Sequence, residues 1–378
     1  MRTHVAEPIF SATIDYEQIA RNARSIIAAT NVPLMAVVKA DGYGHGLVES
    51  ARAALAGGAT YVGVAFIEEA ITLRDAGITA PILAWLTPPT ADFTRALDFT
   101  IDLSISSFDQ LTALLSASEI TGVVPRVHLK VDTGMTRSGA LDEFPELVST
   151  IGELIDEDKL KLVGTWSHLA CADEPDHPLN REQRERFLAA LDYMASEGID
   201  PGIRHLANSG AVMHFPDFRF DMVRSGLLLY GYFPGGAASN HFSVAPAMEL
   251  SADVALVKRV PAGASVGYGA RVRLTEDRYI ALLPMGYADG IPRNLKTPIE
   301  VFIAGQRYPL IGRVSMDQVT VDLGSDTTVK AGDRAIFFGG NGASSADDWA
   351  KAAGTISYEI LSRIGGRVPR LAGRINPY

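Results

Sequence analysis

The chain has few of the features that would place it outside the cell or on a charged partner. Its single cysteine, Cys171, excludes an intrachain disulfide, and a lone cysteine is more often a packed small side chain than a nucleophile. Lysine and arginine (34) are outnumbered by aspartate and glutamate (44), and the net charge of −10 disfavours nucleic acid or an anionic membrane as partner. Neither a membrane-length apolar run nor a secretory signal pattern is present. We expect a reducing, cytoplasmic setting.

The 378 residues are 47% apolar, which suffices for two separate cores. Short apolar runs typical of buried parallel strands alternate with segments of helical periodicity in the first part of the chain. Eight such alternations predict a (β/α)8 barrel, with a doubly wound open sheet as the alternative. Asp15 is expected to cap the first helix. The expected strands are Leu34–Lys39, Tyr61–Ala65, Pro81–Leu86, Ile101–Ile105, Arg126–Val131, Leu162–His168, Ile203–Asn208 and Asp221–Arg224, and clear helices are Tyr16–Ala28, His45–Leu55, Phe108–Leu115 and Arg181–Glu197.

From about Asn240 the pattern changes to strands separated by Gly and Pro turns, which predicts a C-terminal all-β domain. We place the barrel at residues 12–240 and the second domain at 241–378, and residues 1–11 could add a strand to the latter. A short helical tail is expected around Tyr358–Ile364. The expected strands are Glu249–Val260, Tyr279–Pro284, Ile299–Ala304, Arg307–Ile311, Val319–Leu323 and Arg334–Phe338.

The most informative segment is residues 36–46, Ala-Val-Val-Lys-Ala-Asp-Gly-Tyr-Gly-His-Gly. Lys39 ends an apolar strand and precedes a glycine-rich turn. Partial desolvation lowers the pKa of such an amine towards neutrality and makes it a nucleophile for carbonyl groups. The alternative is a lysine whose stem packs at the strand end while its amine stays in water. The glycines favour the first interpretation, since they let the backbone approach a ligand closely.

Other polar residues follow later strands, at the carboxyl ends where a barrel carries its active site. They include the segment from Asp132 to Arg137, His168, and two Ser-Gly pairs after strands seven and eight, which begin at Ser209 and Ser225. Each pair alone would indicate a helix cap. Their shared placement favours a phosphate site, because barrels often hold phosphate there.

The segment around Lys39 resembles the pyridoxal-phosphate attachment segment of alanine racemases, and further matching segments cover almost the whole chain. The resemblance implies an isomerase that interconverts L- and D-alanine through an aldimine of pyridoxal 5'-phosphate on Lys39, with no metal. The segments Ala-Asn-Ser-Gly, Met-Val-Arg-Ser-Gly and Ile-Ser-Tyr-Glu-Ile-Leu resemble family segments that contact the cofactor. A tyrosine in the last of these could equally be packing. The implied phosphate ligands are Tyr43, Ser209, Gly226, Leu227 and Tyr358.

Racemisation requires a base on each face of the cofactor. By resemblance Lys39 is one base, and Tyr268, in Val-Gly-Tyr-Gly-Ala, is the other. A phenol with a pKa near 10 needs positive charge or hydrogen-bond donors to act at neutral pH, and His168 matches the histidine that holds this tyrosine. Taken alone, Tyr268 would be a structural turn residue.

Arg224 distinguishes between chemistries. By resemblance it faces the pyridine nitrogen, to which an arginine donates a hydrogen bond without readily transferring a proton. The related barrel decarboxylases place a carboxylate there, so Arg224 argues against that rival. Its alternative role is an ion pair with Asp221 or another carboxylate. A second rival, a pyridoxal-phosphate carrier, would lack the C-terminal β domain.

The resemblance also assigns the substrate end of the site. Arg137 would orient the cofactor and the substrate carboxylate. Lys130 matches a lysine that is carbamylated in some members, and a plain ion pair with Asp132 is the alternative. Met316 and Asp317 match the segment near the substrate carboxylate.

By resemblance Tyr287 is part of the narrow entrance to the site, which suggests a substrate with a small side chain. Serine differs from alanine by one hydroxyl group, which an apolar pocket rejects only weakly. In the family Tyr268, Tyr287 and Met316 enter the barrel of a second subunit, so the resemblance implies a head-to-tail homodimer with shared sites. It also implies D-alanine supply for bacterial peptidoglycan. Asp173–His177 and the glycine-rich Phe233–Ala238 have no assigned role.

Overall fold

The computed structural model describes residues 8–236, 241–340 and 342–375, so the boundary expected at residue 240 and the end of the glycine-rich segment, Ala237–Ala238, lie outside the described residues. Contacts divide the chain into two compact units. The barrel unit comprises residues 19–42 and 47–244. The β unit comprises residues 43–46 together with the chain before residue 19 and after residue 244. Its first strand is β1 (Phe10–Ile14).

The barrel unit contains eight parallel strands in the order β8-β7-β6-β5-β4-β3-β2-β9. Asp221 N–H donates to Arg204 O, and Arg224 N–H donates to Ala207 O, both at 3.0 Å, which links the two ends of that order. The (β/α)8 prediction is therefore confirmed, and the open-sheet alternative is wrong. The strands are β2 (Leu34–Val37), β3 (Tyr61–Val64), β4 (Ile82–Ala84), β5 (Asp102–Ile105), β6 (Arg126–Lys130), β7 (Lys161–Trp166), β8 (Ile203–His205) and β9 (Val223–Ser225).

Helices connect these strands as expected. Asp15 caps the first helix, because its carboxylate accepts the Gln18 N–H at 2.8 Å. The helix expected from His45 begins only at Leu47, since Gly46 has a φ of 95°. The helices are α1 (Tyr16–Thr30), α2 (Lys39–Tyr43), α3 (Leu47–Ala56), α4 (Ile67–Asp75), α5 (Phe93–Asp98), α6 (Phe108–Thr121), α7 (Phe144–Asp156), α8 (Leu179–Ser196) and α9 (Ser209–His214).

The β unit is a nine-stranded sheet in the order β11-β14-β17-β16-β15-β18-β10-β1-β19, with a small β12-β13 hairpin. β1 pairs antiparallel with β10 and parallel with β19. The run expected as one strand, Glu249–Val260, is broken into two, so that prediction was wrong in detail. The strands are β10 (Met248–Asp253), β11 (Leu256–Val260), β12 (Ser265–Val266), β13 (Val272–Arg273), β14 (Arg278–Leu283), β15 (Glu300–Ile303), β16 (Gln306–Ile311), β17 (Val319–Gly324), β18 (Arg334–Phe338) and β19 (Arg370–Ala372).

Two short helices, α10 (Ala346–Ala353) and α11 (Ser357–Ser362), accompany this sheet. α11 is the expected helical tail, whereas α10 was not expected from the strand pattern. Ser345 caps α10 by accepting the Asp348 N–H at 3.1 Å, and Trp349 is buried with its indole N–H donating to Phe337 O. Within the described ranges, every helix is too short or too polar to cross a membrane.

Candidate active site

Lys39 leads into an unusual turn at the carboxyl end of β2. Ala40, Asp41 and Gly42 have φ values of 54°, 54° and 60°, in the left-handed region that costs a residue with a Cβ roughly 1–2 kcal/mol. Glycine is required at position 42, because a Cβ there would lie 2.6 Å from Ser50 Oγ. The turn is held from outside, since the Glu69 carboxylate accepts the Ala40 N–H at 2.7 Å. A strained backbone fixed in this way positions the lysine.

The Lys39 amine lies in a partly buried, electropositive place. Its Nζ is 5.8 Å from the centroid of the Trp85 ring. Burial lowers the pKa of Lys39, the positive charge of Arg137 lowers it further, and Glu69 opposes the shift. This is the direction that sequence reasoning expected for a nucleophilic amine.

Arg224, on β9, is buried and fully hydrogen-bonded to carbonyl groups. Its Nη1 donates to His205 O and its Nη2 to Ser167 O, both at 2.7 Å. Burial lowers the pKa of Arg224 to about 9. In the part of the chain that the structure describes it pairs with no carboxylate, because Asp221 is held bidentately by Arg204 at 2.7 Å to each oxygen. The alternative of an Arg224–Asp221 pair is therefore wrong.

His168 lies beside this guanidinium, with Nδ1 3.4 Å from Arg224 Nη2. Arginine is only a donor, so Nδ1 is the acceptor and the ring carries its proton on Nε2. Burial and the charges of Arg224 and Arg137 lower the pKa of His168 well below its usual range. A neutral imidazole whose Nε2 carries the proton can donate a hydrogen bond to a second group, such as a phenol.

The two Ser-Gly pairs meet as expected. Ser209 begins α9, and its Oγ lies 3.2 Å from Ser225 Oγ and accepts the Gly226 N–H at 3.1 Å. Leu227 begins the short 3-10 helix that follows. Two hydroxyl groups and backbone amides thus converge after β8 and β9, which provides donors for a phosphate.

Lys130, at the end of β6, is buried over the Trp166 ring with Nζ 4.6 Å from the centroid, and it donates to Ser138 Oγ. Burial and the nearby charges of Arg137 and Arg224 lower the pKa of Lys130 to about 8. Among the described residues it forms no ion pair.

Asp132 instead accepts the backbone N–H groups of Gly134 and Thr136, at 2.8 and 3.1 Å. The plain Lys130–Asp132 ion pair considered from the sequence is therefore wrong. Arg137 is exposed, and its positive charge lowers the pKa of both Lys39 and Lys130.

The other expected site residues belong to the β unit. Tyr43 and Tyr358 have ring centroids 6.0 Å apart, and burial raises the pKa of Tyr43 so that its hydroxyl stays protonated. Tyr268 lies in the turn between β12 and β13 and is 69% exposed. A phenol of this size in open solvent is a candidate for contact with another molecule.

Tyr287 and Met316 are neighbours in this unit. Tyr287 N–H donates to Ser315 O and Ala288 N–H donates to Met316 O, both at 3.0 Å, and the Met316 side chain is 53% exposed. Asp317 is held by Arg367 at 2.5 Å. The structure therefore brings Tyr287, Met316 and Asp317 together.

Sequence reasoning missed several residues that shape the site: Glu69, Trp85, Trp166 and His205. Glu69 could have been identified from the sequence, because it is an acidic residue at the third position of the helix that follows β3. The two tryptophans and His205 are strand or strand-end residues whose inward direction is visible only in the closed barrel.

These residues fit pyridoxal phosphate on their own chemistry. A partly buried amine with a lowered pKa can bind the aldehyde, converging hydroxyl and amide groups can bind the phosphate, and a buried arginine without a carboxylate partner can face the ring nitrogen. Fold and site together define a barrel-type enzyme that depends on this cofactor.

Comparison with known proteins identifies the family. Residues 14–234 match the model of the alanine racemase N-terminal domain, and residues 247–372 match that of the C-terminal domain. The alanine racemase of Frankia casuarinae is 46% identical over 365 residues, 95% of each chain. That of Mycobacterium tuberculosis is 44% identical over 364 residues, 95% of this chain and 94% of the relative. The structure of the enzyme from Streptomyces lavendulae superposes with a TM-score of 0.94 at 42% identity and covers 98% of both chains. The chain belongs to the alanine racemase family, whose members depend on pyridoxal 5'-phosphate.

Proposed function

We propose that this protein interconverts L- and D-alanine, with Lys39 and Tyr268 as the two bases. The observation that carries the proposal is the partly buried Lys39 amine, whose pKa is lowered, on a strained turn fixed by Glu69. The sequence relatives, which are alanine racemases over 95% of this chain, support the choice of substrate.

When bound, pyridoxal phosphate withdraws electrons from the substrate α-carbon and so acidifies its proton. Lys39 Nζ would then accept or return a proton on one face, a role that its lowered pKa favours. Tyr268 does the same on the opposite face. The Nε2–H of His168 is suited to stabilise its phenolate, because Nδ1 already accepts from Arg224.

Arg224 donates to the ring nitrogen and keeps its own proton, which limits electron withdrawal and disfavours decarboxylation. The proposal assigns the cofactor phosphate to Ser209, the backbone of Gly226 and Leu227, and the tyrosines Tyr43 and Tyr358. It assigns the substrate end to Arg137, Met316, Asp317 and Tyr287.

Lys130 is proposed to be carbamylated. A carbamate forms on a neutral amine, and the pKa of about 8 makes a neutral Lys130 accessible near physiological pH. The resulting negative charge would sit among Arg137, Arg224 and Lys39, which now repel the ammonium form.

We further propose a head-to-tail homodimer with shared sites, residing in the cytoplasm and supplying D-alanine for peptidoglycan. The proposed domains are those expected from the sequence, residues 12–240 and 241–378, except that β1 (Phe10–Ile14) and the residues up to Gln18 belong with the second. Exposure of Tyr268 (69%) and Met316 (53%) in the single chain supports their contribution to a second subunit.

Absorbance and circular dichroism test the proposal together. The purified protein should show a band near the visible edge that is absent in Lys39→Ala, and it should abolish the ellipticity of L-alanine faster than that of L-serine. An unchanged band in the variant would contradict the assignment of Lys39. Release of carbon dioxide without racemisation would favour the decarboxylase rival.

A further inference from the structure

A chain of hydrogen-bonded side chains runs from Arg224 through the interior of the barrel. Arg224 Nη1 lies 3.2 Å from His205 Nδ1, and His205 Nε2 lies 2.8 Å from His128 Nδ1. His128 Nε2 is 3.1 Å from the Tyr61 hydroxyl, which donates to the Asp102 carboxylate. All five side chains are buried.

The hydrogen bonds of this series all run in one direction, which is set by Arg224 at its start. Arginine only donates, so His205 Nδ1 accepts and the neutral ring carries its proton on Nε2. His205 therefore donates to His128 Nδ1, and His128 in turn carries its proton on Nε2 and donates towards Tyr61. Burial lowers the pKa of both imidazoles, which keeps them neutral as this order requires.

The hydrogen-bond chain ends at a charged carboxylate, Asp102. Asp102 accepts from Tyr61 and from Arg126, whose Nε and Nη2 lie 2.6 and 3.1 Å from its two oxygens. These hydrogen bonds outweigh burial and lower the pKa of Asp102, so the carboxylate is charged. Among the described residues Arg224 touches no carboxylate, and the series of hydrogen-bond donors that starts at Arg224 ends at Asp102. Trp166 lies flat against His205, with ring planes 2° apart, and restricts its rotation.

We propose that Asp102 and His128 are positioning residues for Arg224, acting through a one-directional hydrogen-bond chain that keeps His205 Nδ1 free to accept from the guanidinium. This inference rests on the proposed function, in which Arg224 faces the cofactor nitrogen. If the chain reversed, His205 Nδ1–H would point at an arginine N–H. Arg224 would then lose this acceptor and shift from its place.

The first test measures the imidazole protons directly in the full-length protein. Two-bond ¹⁵N–¹H spectra of the histidine-labelled holoenzyme, assigned with His128→Gln and His205→Gln, should show both rings as Nε2–H neutral tautomers at pH 7. An Nδ1–H tautomer or an imidazolium at either ring would overturn the proposal, whether or not the protein racemises alanine.

The second test changes Asp102, the last acceptor of the hydrogen-bond chain. Asp102→Asn should lower kcat about tenfold with the KM for alanine within about twofold, because Arg224 acts on the cofactor and not on substrate binding. The ¹⁵N shift of the cofactor ring nitrogen should move with it. Tyr61→Phe, which removes one hydroxyl, should change both readouts in the same direction and serves if the Asn variant does not fold.

The matched control is Asp221→Asn, which also removes a carboxylate held bidentately by arginine, but at the surface and outside the hydrogen-bond chain. It should leave kcat and the ring-nitrogen shift unchanged. Equal effects of Asp102→Asn and Asp221→Asn would refute the positioning role. Correct tautomers in a protein without racemase activity would refute the proposed function and leave the hydrogen-bond chain standing.

Discussion

Glu69 holds the turn that presents Lys39, so Glu69→Ala should loosen that turn. The carboxylate accepts three backbone N–H groups, from Ala40 at 2.7 Å, Ala65 at 2.8 Å and Phe66 at 3.1 Å. Only the Ala40 N–H belongs to the turn, since Ala65 and Phe66 lie just before the start of α4. One hydrogen bond to a charged acceptor contributes about 2 kcal/mol to holding the turn.

Hydrogen exchange measures this free energy where it acts. The amide of Ala40 should exchange about 30-fold faster in Glu69→Ala, as expected for a local opening made easier by about 2 kcal/mol, while amides in the centre of α8 keep their rates. Racemisation should fall as well, since Lys39 is then less well positioned. Glu69→Gln should show a smaller effect, because one oxygen still accepts while the amide nitrogen faces an N–H group.

Glu68→Ala is the matched control, since Glu68 occupies the same helical turn with an exposed side chain. It removes a similar favourable charge at the start of α4 without touching the turn. Equal exchange rates at Ala40 in the two variants would show that the helix charge, and not the hydrogen bond from Ala40 to Glu69, stabilises the turn.

Three further outcomes follow from the same structure. Replacing Arg224 with Glu should keep the cofactor ring nitrogen protonated, which should lower racemisation about 100-fold and raise transamination as a side reaction. Transamination is measured as pyruvate with lactate dehydrogenase. An unchanged ratio of pyruvate to racemised alanine would contradict the role of Arg224. In bicarbonate-free buffer the unfolding free energy should rise between pH 8 and 10 more in the parent than in Lys130→Met. The pKa of Lys130 is about 8 in the folded protein, below the usual lysine value of 10.5, so the unfolded chain binds more protons in that window. Parallel urea curves for the two proteins would argue against a buried Lys130 ammonium. Mixing inactive Lys39→Ala and Tyr268→Phe subunits should restore about a quarter of parental activity, because half of the dimers are mixed and each mixed dimer has one complete site out of two. No recovery of activity, after subunit exchange has been verified, would exclude shared sites.

The sequence predicted the barrel well because its strands are buried on both faces and read as apolar runs between helices. Each of the eight expected strands overlaps an observed one. The helix α10 was missed, since its eight residues carry only a short apolar stripe and a Ser345 cap between strand signals. The break between β10 and β11 was missed because Val254 and Ala255 continue the apolar run.

Most of the candidate site was reached through local motifs, and the residues that were missed act at a distance along the chain. Glu69 contacts Ala40 across 29 positions, and nothing in either segment specifies that contact. Asp102, His128 and His205 lie on three different strands, so only closure of the barrel brings them into one layer. Periodicity shows that such residues are buried but cannot show which of them meet.

That polar layer also explains why an arginine can be held without a carboxylate. Arg224 obtains three carbonyl acceptors, from Ser167, His205 and Leu206 at 2.7, 2.7 and 3.1 Å, at and just after the ends of β7 and β8. A lysine has a single nitrogen and would satisfy only part of this set, so Arg224→Lys should lose positioning even though it keeps the charge. The neutral imidazole of His205 adds an acceptor without adding a negative charge. A carboxylate in its place would compensate the arginine fully and reduce the positive field that Arg224 directs at His168 and Lys130.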